Sequence, residues 1–431
     1  MMPEASLSLV FGYFWQLIKA WWWLPLPFLL WRPARAFWLF WRREEFIKKQ
    51  KFVLLEIKLP EESLKPIRAM EQVMAGLWQA FWDPPNYWEK WWDGKIVLGF
   101  QLETVSIGGD VHFYIRCPDY RRDIVESNIY SQYPEAEISV VDDYTKYVPQ
   151  DIPNKDWDLL GVDFINSKDE IYPIKTYRQF ETETERLEEK RIDPLSNLLE
   201  GLSTLKPGEQ FWLQIVAKPV LGRDNPWQEK GKELVDRLAK RPEVQKPKPI
   251  FQEVAEILIS GKPTVTEKKE EKEIIPPEFK LTPGEREVLM AVEAKLAKFG
   301  YDCNIRFLYL GGKEVFFRPT AKVGFGFFKE ISTEILGGLK PWSRTMTKVK
   351  SVPLWFLDER RLYLRKRRMF RYYKRRWAPL FPRKGATYVL NTEELATLYH
   401  FPGEEVAPAA GISRIQAKKG GAPPELPIEE E

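Results

Sequence analysis

The sequence predicts an α+β protein: an N-terminal transmembrane helix, then two ferredoxin-like, βαββαβ-type domains, the second with long insertions. Three observations predict it. An aromatic-rich apolar stretch, Leu7–Trp31, opens the 431-residue chain and gives way at once to a basic collar. Residues 52–143 then carry strand-period and helix-period apolar patterns in the order βαββαβ. From residue 193 a similar alternation returns, broken by a charged stretch at 225–278. The expected domains are an anchor and collar (1–49), a first domain (50–146), a second (147–400) containing the insert and a basic helix (358–378), and a disordered Pro/Gly tail with an acidic end (401–431).

The opening stretch holds Phe11, Phe14, Trp15, Trp21, Trp22, Trp23, Phe28, Leu29, Leu30 and Trp31, with Lys19 as its one charge. Its length suffices for a tilted helix to cross a hydrocarbon core of roughly 30 Å. Its Leu, Ile, Val and Phe residues favour insertion by about 4–7 kcal/mol together, against about 3 kcal/mol for Lys19. Pro25 and Pro27 are expected to kink the helix or end it early. An interfacial or re-entrant helix and a buried soluble helix are the alternatives. Arg32, Arg35, Arg42, Arg43, Lys48, Lys49 and Lys51 follow, whereas only Glu4 precedes. Basic residues near a span stay cytoplasmic, so a single pass through the inner membrane leaves the bulk of the chain in the cytoplasm. The n-region is not basic and no small-x-small site follows, which argues against a cleaved signal peptide.

In the first domain, Val53, Leu55, Ile57 and Leu59 share one face of a strand over Phe52–Leu59. Ile67, Met70, Met74, Leu77 and Phe81 recur at helical spacing until Asp83-Pro84-Pro85 stops the helix. Phe100, Leu102 and Thr104 alternate up to Gly108-Gly109, a two-residue hairpin turn, and Val111, Phe113, Ile115 and Cys117 return. A helix over Asp119–Tyr133, with Ile124, Val125 and Ile129 inward, leads to a last strand with Ile138 and Val140. The intervening loop carries Trp82, Tyr87, Trp88, Trp91 and Trp92, suited to lipid headgroups or to the domain's own flank.

A polar linker over Thr145–Trp157 precedes the second domain. Asp193 and Pro194 open a helix to Leu205, and Gln210–Val220 alternates as a strand. The insert, with its run Glu267–Glu273, is expected to be solvated and partly disordered. Thr282-Pro283-Gly284-Glu285 is a capping-box signature, starting a helix with Val288, Leu289, Val292, Leu296 and Phe299 inward. Asn304–Leu310 is a strand and Ala321–Leu336 a helix. Thr387–Leu390 is a short strand, followed by a helix over Thr392–Tyr399.

The run Arg360–Arg376 contains Arg360, Arg361, Arg365, Lys366, Arg367, Arg368, Arg371, Lys374, Arg375 and Arg376, and no acid. Leu362, Met369, Phe370, Tyr373 and Trp377 fall on one helical stripe. Three readings stand: a helix lying on anionic lipid, a nucleic-acid contact with aromatics stacking on unpaired bases, and a solvated helix docked by its stripe. Enzyme signatures are absent. Gly261-Lys262-Pro263-Thr264 lacks the leading glycine of a phosphate loop and puts proline where Ser or Thr belongs. Gly311-Gly312-Lys313 is followed by Glu314, which repels phosphate. Asp142-Asp143 reads as a solvated pair closing a strand. Two histidines, His112 and His400, and two cysteines, Cys117 and Cys303, are too few for a His-based metal cluster or a disulfide framework. No cofactor, metal or catalytic residue is expected.

Several stretches resemble the membrane-anchored N-terminal region of bacterial type IV secretion ATPases, the conjugative coupling-protein class with HerA/TraG-like motors. They are Phe52–Pro60, Ser106–Gly109 with Val111–Arg116, Ile129–Pro134, Ile171–Lys175, Gly208–Pro219, Leu281–Glu287 and, most specifically, Leu390-Asn391-Thr392-Glu393-Glu394-Leu395-Ala396-Thr397-Leu398-Tyr399-His400-Phe401-Pro402. The resemblance covers roughly 50–427. In those proteins a RecA-like motor follows; here neither Walker segment is present. The resemblance therefore implies a motorless, oligomeric assembly module working with a separately encoded ATPase and other subunits, with membrane lipid and DNA as further partners. The alternative is a membrane-tethered nucleic-acid-binding protein using 360–377.

Overall fold

The computed structural model describes residues 12, 15–16, 19–60, 65–180, 193–222, 225–241, 281–349, 355–376 and 386–402. The expectations placed on Phe11, Phe14, the run Glu267–Glu273, the Gly261–Thr264 segment, Trp377 and the tail beyond 402 lie outside them, as does the side chain of Phe28.

The protein is α+β, organised on a nine-stranded sheet in which each pairing among the described strands is antiparallel. Helix α1 (Pro25–Lys49) leads into β1 (Phe52–Lys58), α2 (Ile67–Phe81), β2 (Phe100–Ile107), β3 (Asp110–Pro118), α3 (Arg122–Gln132) and β4 (Glu137–Val141). Beyond them come β5 (Trp157–Asn166), α4 (Ser196–Ser203), β6 (Glu209–Pro219), α5 (Trp227–Leu238), α6 (Pro283–Leu296), β7 (Gly300–Gly312), α7 (Lys322–Glu330) and β8 (Leu339–Pro341). Helix α8 (Asp358–Arg375), β9 (Tyr388–Asn391) and α9 (Thr392–Leu398) close the described chain.

The strands lie in the order β4-β1-β3-β2-β6-β7-β5-β8, with β9 continuing beside β7. Each half thus orders its strands fourth, first, third, second from its outer edge, and the two halves meet through β2 and β6. That seam runs from Phe100 opposite Ala217 to Ile107 opposite Gln210. The β2–β3 hairpin forms because Gly108 and Gly109 both take positive φ, 62° and 103°, which side chains with a Cβ resist.

Alternation divides the strands between two faces. Leu55, Ile57, Phe100, Leu102, Phe113 and Ile115 join a large core under α2, α3, α4, α7 and α9. Leu54, Val105, Tyr114, Leu159, Trp212, Leu308 and Leu310 form a second core on the opposite face, where Met369, Phe370 and Tyr373 of α8 cover them. Burying each of those three large side chains contributes about 1.5–3 kcal/mol, an upper estimate because unfolded chains already hide some surface.

Several expectations are corrected. The linker ends in β5, which pairs with β7 from Trp157 opposite Gly312 to Phe164 opposite Ile305. The strand order of the second half is completed by the three-residue β8, not by Thr387–Leu390, which is β9 and pairs with Gly300–Cys303. The insert is ordered over α5, which packs on α6 through Val235, Ala239, Leu289 and Val292. Helix α7 stops at Glu330, short of Leu336. Ile124 and Phe299, expected inward, are exposed; Phe299 nonetheless stacks on Trp78 at 4.3 Å.

Candidate functional site

Two surfaces and one buried motif hold the residues singled out by the sequence. The first surface begins at the N-terminus. A turn at Trp22–Leu24 interrupts the helical path, and α1 starts at Pro25, because proline in a first turn gives up a backbone donor that has no partner there. The prolines therefore open a helix instead of ending one. From Pro25 the uncharged part lasts only to Trp31, about two turns. The helix then runs on through Arg32, Arg35, Arg42, Arg43 and Lys48 to Lys49. Among the described residues, no helix is long and apolar enough to cross a membrane.

Trp15, Trp21, Trp22, Trp23, Leu29, Leu30 and Trp31 are all exposed, Leu29 by 73% and Trp31 by 63%. Further along α1, Phe37 and Trp41 are exposed as well. The tryptophan loop joins this surface. Trp38 donates its indole N–H to the Trp91 carbonyl at 2.8 Å and meets the Trp92 ring edge-on at 5.9 Å. The Arg35 guanidinium lies 4.6 Å from the Trp91 ring centroid, and Arg42 donates to the Trp92 carbonyl. Gly94 permits this approach: at φ 67° it lies so close to the Arg42 backbone that a Cβ would come within 2.3 Å of it. The loop thus packs on the protein itself in part and leaves several rings uncovered. Its backbone packs on the protein's own α1, while Tyr87, Trp88 and Trp92 remain exposed.

The second surface is α8. Asp358 and Glu359 in its first turn and Lys374 and Arg375 in its last suit the helix dipole. Met369, Phe370 and Tyr373 bury as the stripe predicts, with Trp212 5.2 Å from Tyr373. The expected cationic contacts separate into two groups. Arg360, Arg361, Arg368, Arg371 and Arg375 are exposed, and Arg367 is half-buried beside Tyr363, to which it donates at 2.7 Å. Arg365 turns back to the carbonyls of Ser343 and Met346 at 3.3 and 3.2 Å, and Lys374 donates to Gln150.

Lys366 and Arg376 are corrections: both are buried. Lys366 pairs with Asp158 at 2.5 Å. Arg376 is 1% exposed and pairs with the fully buried Glu103 of β2 at 2.6 Å. Its other nitrogen reaches Asp143 at 2.9 Å, so Asp143 is no solvated carboxylate. Burial alone would raise the Asp143 carboxyl, but the Arg376 hydrogen bond and charge bring it from 3.8 down to about 2. Burial also pulls against the Arg376 charge, and Glu103 outweighs it, holding its pKa well above the ordinary value. Tyr144 donates to Glu103 at 2.7 Å and its oxygen lies 2.7 Å from that of Tyr373. Sequence spacing gave no sign of this hub.

The motif Leu390–Pro402 is interior. Every residue of α9 is buried. Asn391 and Glu394 form a capping box, Glu394 pairs with Lys295 of α6 at 3.1 Å, and Glu393 pairs with Lys298 and accepts from Thr176 at 2.5 Å. His400 lies between the Ala396 carbonyl and Asp193, each at 2.9 Å. Tyr399 reaches the Tyr114 carbonyl of β3. Both cysteines are buried, and burial pushes the Cys117 thiol to about 12 and Cys303 well above its ordinary value. Neither is poised as a nucleophile. No protein-family model matches the chain, and no curated protein matches it.

Proposed function

We propose that this chain is a non-enzymatic, membrane-associated assembly module, formed of two ferredoxin-like units fused through their second strands. Its N-terminal helix rests in or on the inner membrane, and the rest serves a type IV secretion or conjugation-like translocation complex beside a separately encoded ATPase. One observation carries the membrane part. A long aromatic surface, from Trp15 through Trp41 and across Tyr87, Trp88 and Trp92, is exposed beside Arg32 and Arg35. Amphipathic indole rings favour the headgroup layer, and arginines beside them favour anionic lipid. The translocation part is supported by the resemblance of Leu390–Pro402 and the shorter stretches. Assembly is supported by the end strand β4, whose outer edge pairs with no other strand among the described residues.

Flotation of the purified full chain with vesicles containing phosphatidylglycerol tests the reading. Most of the protein is expected to rise with the lipid. A variant with Trp21, Trp22, Trp23 and Trp31 changed to Ser is expected to stay below. Protein that remains in the lipid-free fraction without any substitution refutes membrane association. A carbonate wash of cell membranes then separates a spanning segment, which is retained, from an interfacial one, which is released.

A second reading has its own observation, the exposed arginines of α8. Single-stranded DNA would lie along Arg360, Arg367, Arg368, Arg371 and Arg375, with Tyr363 and Tyr372 available for stacking. Affinity is then expected to fall with salt at a log–log slope of about −0.7 per phosphate contacted. Changing Arg367, Arg368, Arg371 and Arg375 to Gln should flatten that slope by about 3 units if all four touch phosphates. No binding at low salt excludes this reading.

A further inference from the structure

On the edge of the sheet beyond β8, residues Trp342–Lys348 are fastened to β5 at four points. The Trp342 N–H donates to the Asp163 carbonyl at 2.8 Å and the Thr347 N–H to the Gly161 carbonyl at 3.0 Å. In return, the Gly161 and Asp163 amides donate to the hydroxyls of Thr347 and Thr345 at 2.9 and 3.2 Å. From the other side, Arg365 of α8 donates to the carbonyls of Ser343, Met346 and Lys348. This segment is therefore held rigidly against both the sheet and the basic helix.

Between them lies a cavity of about 130 Å³. Four of its lining side chains are arginines, Arg306, Arg344, Arg365 and Arg368, and one is a carboxylate, Asp163. Arg306 is 1% exposed and pairs with that carboxylate at 3.2 Å. Among the described residues, neither Arg344 nor Arg368 meets a carboxylate. Trp342, Tyr372 and Asn304 are among its other lining residues. Four arginines against one carboxylate give the lining an excess of positive charge, with Arg306 and Asp163 buried and Arg344 and Arg368 exposed to solvent. Such a lining favours an anion. Guanidinium forks match the oxygens of phosphate bidentately, which a spherical halide cannot exploit. The volume falls well short of the roughly 300 Å³ at which small-molecule pockets begin, so a phosphate group fits and a whole nucleotide does not.

We propose that this cavity is a binding site for a phosphate group, either free or as the end group of a larger molecule. The site is distinct from the aromatic surface and shares Arg368 and Tyr372 with the ridge of α8, and it stands whether or not the chain binds membranes or DNA.

Isothermal titration of the full chain with inorganic phosphate, at ionic strength held constant with chloride, is the test. Saturable binding is expected. The variant carrying Arg344→Gln and Arg368→Gln should lose affinity by about tenfold or more, since two charge-assisted contacts disappear. Arg237→Gln, on α5 and away from both the cavity and α8, should bind as the unaltered protein does. Both altered arginines are exposed, so thermal unfolding should remain close to that of the parent, and the single variant Arg344→Gln provides a milder second reading. Methyl phosphate, glycerol 3-phosphate and AMP identify the source: comparable binding means an end group, and binding of inorganic phosphate alone means the free ion. Absence of saturable binding, or equal affinity in the double variant, overturns the proposal.

Discussion

Arg376→Ala is expected to lower folding stability by about 3–5 kcal/mol, read as a fall in the urea midpoint at unchanged slope. The cause is the group left behind. Glu103 is fully buried in the middle of β2, and Arg376 approaches both its oxygens, at 2.6 and 3.2 Å. Gln214 and Tyr144 also donate to it, each at 2.7 Å. Without the guanidinium, those neutral donors remain but the countercharge does not. The backbone points the same way: Arg376 occupies the left-handed region at φ 52°, at a cost of about 1–2 kcal/mol that its ion pairs must offset. Replacing both partners, with Glu103→Leu and Arg376→Met, is expected to recover much of the loss, because a buried pair often contributes little beyond an apolar substitute. The same hub sets an acid limb. Asp143 titrates at about 2 in the folded protein against 3.8 ordinarily, so its contribution is complete above pH 4 and is lost as pH falls through 2. In Arg376→Ala that part of the pH dependence should flatten. A variant within 1 kcal/mol of the parent would sink the account.

The contrast between Arg376 and its neighbours shows what the sequence could reveal. The stripe of Met369, Phe370 and Tyr373 was legible because a helix repeats every 3.6 residues, and all three are buried where the stripe places them. The hairpin at Gly108-Gly109 and the capping box at Thr282 and Glu285 were legible because local backbone chemistry demands those residues. Arg376 was not legible: its partner Glu103 lies 273 positions away in the chain, and a run of arginines looks uniform until the sheet beneath fixes the helix's rotation. Strand β5 was missed for a related reason. Its pattern is interrupted by Gly161 and by Asp163, a buried carboxylate that makes sense only once Arg306 of β7 stands beside it. Strand β8 is too short for any periodicity to register, whereas the short strand over Thr387–Leu390 was legible as β9 but its pairing with Gly300–Cys303 was not. At the N-terminus, hydropathy predicted one helix over Leu7–Trp31, whereas the turn at Trp22–Leu24 and the helix start at Pro25 follow from proline's place in a first turn.

The second large effect is expected at Glu394, and it tests what the most specific stretch of the sequence is for. Its carboxylate performs three tasks in a site with no exposure. It accepts from the Asn391 amide at 2.8 Å, closing the capping box, and from the Ile174 amide at 2.9 Å. It also pairs with Lys295, which is 1% exposed and has the Tyr172 carbonyl as its other acceptor. Glu394→Ala removes a cap contact worth about 1 kcal/mol and strands a buried ammonium, for a total of about 3–5 kcal/mol. Glu394→Gln keeps the acceptor for the cap while losing the charge, so its loss should be smaller. Where the damage spreads matters more than its size. Helix α9 packs on α2 in the first half through the common core, and its Glu394 is tied to α6 in the second. If the motif welds the halves, Glu394→Ala lowers a single cooperative transition, and amide exchange quickens in β1 and β7 alike. If the motif were a separable docking element, exchange would quicken in α9 alone and both halves of the sheet would keep their protection.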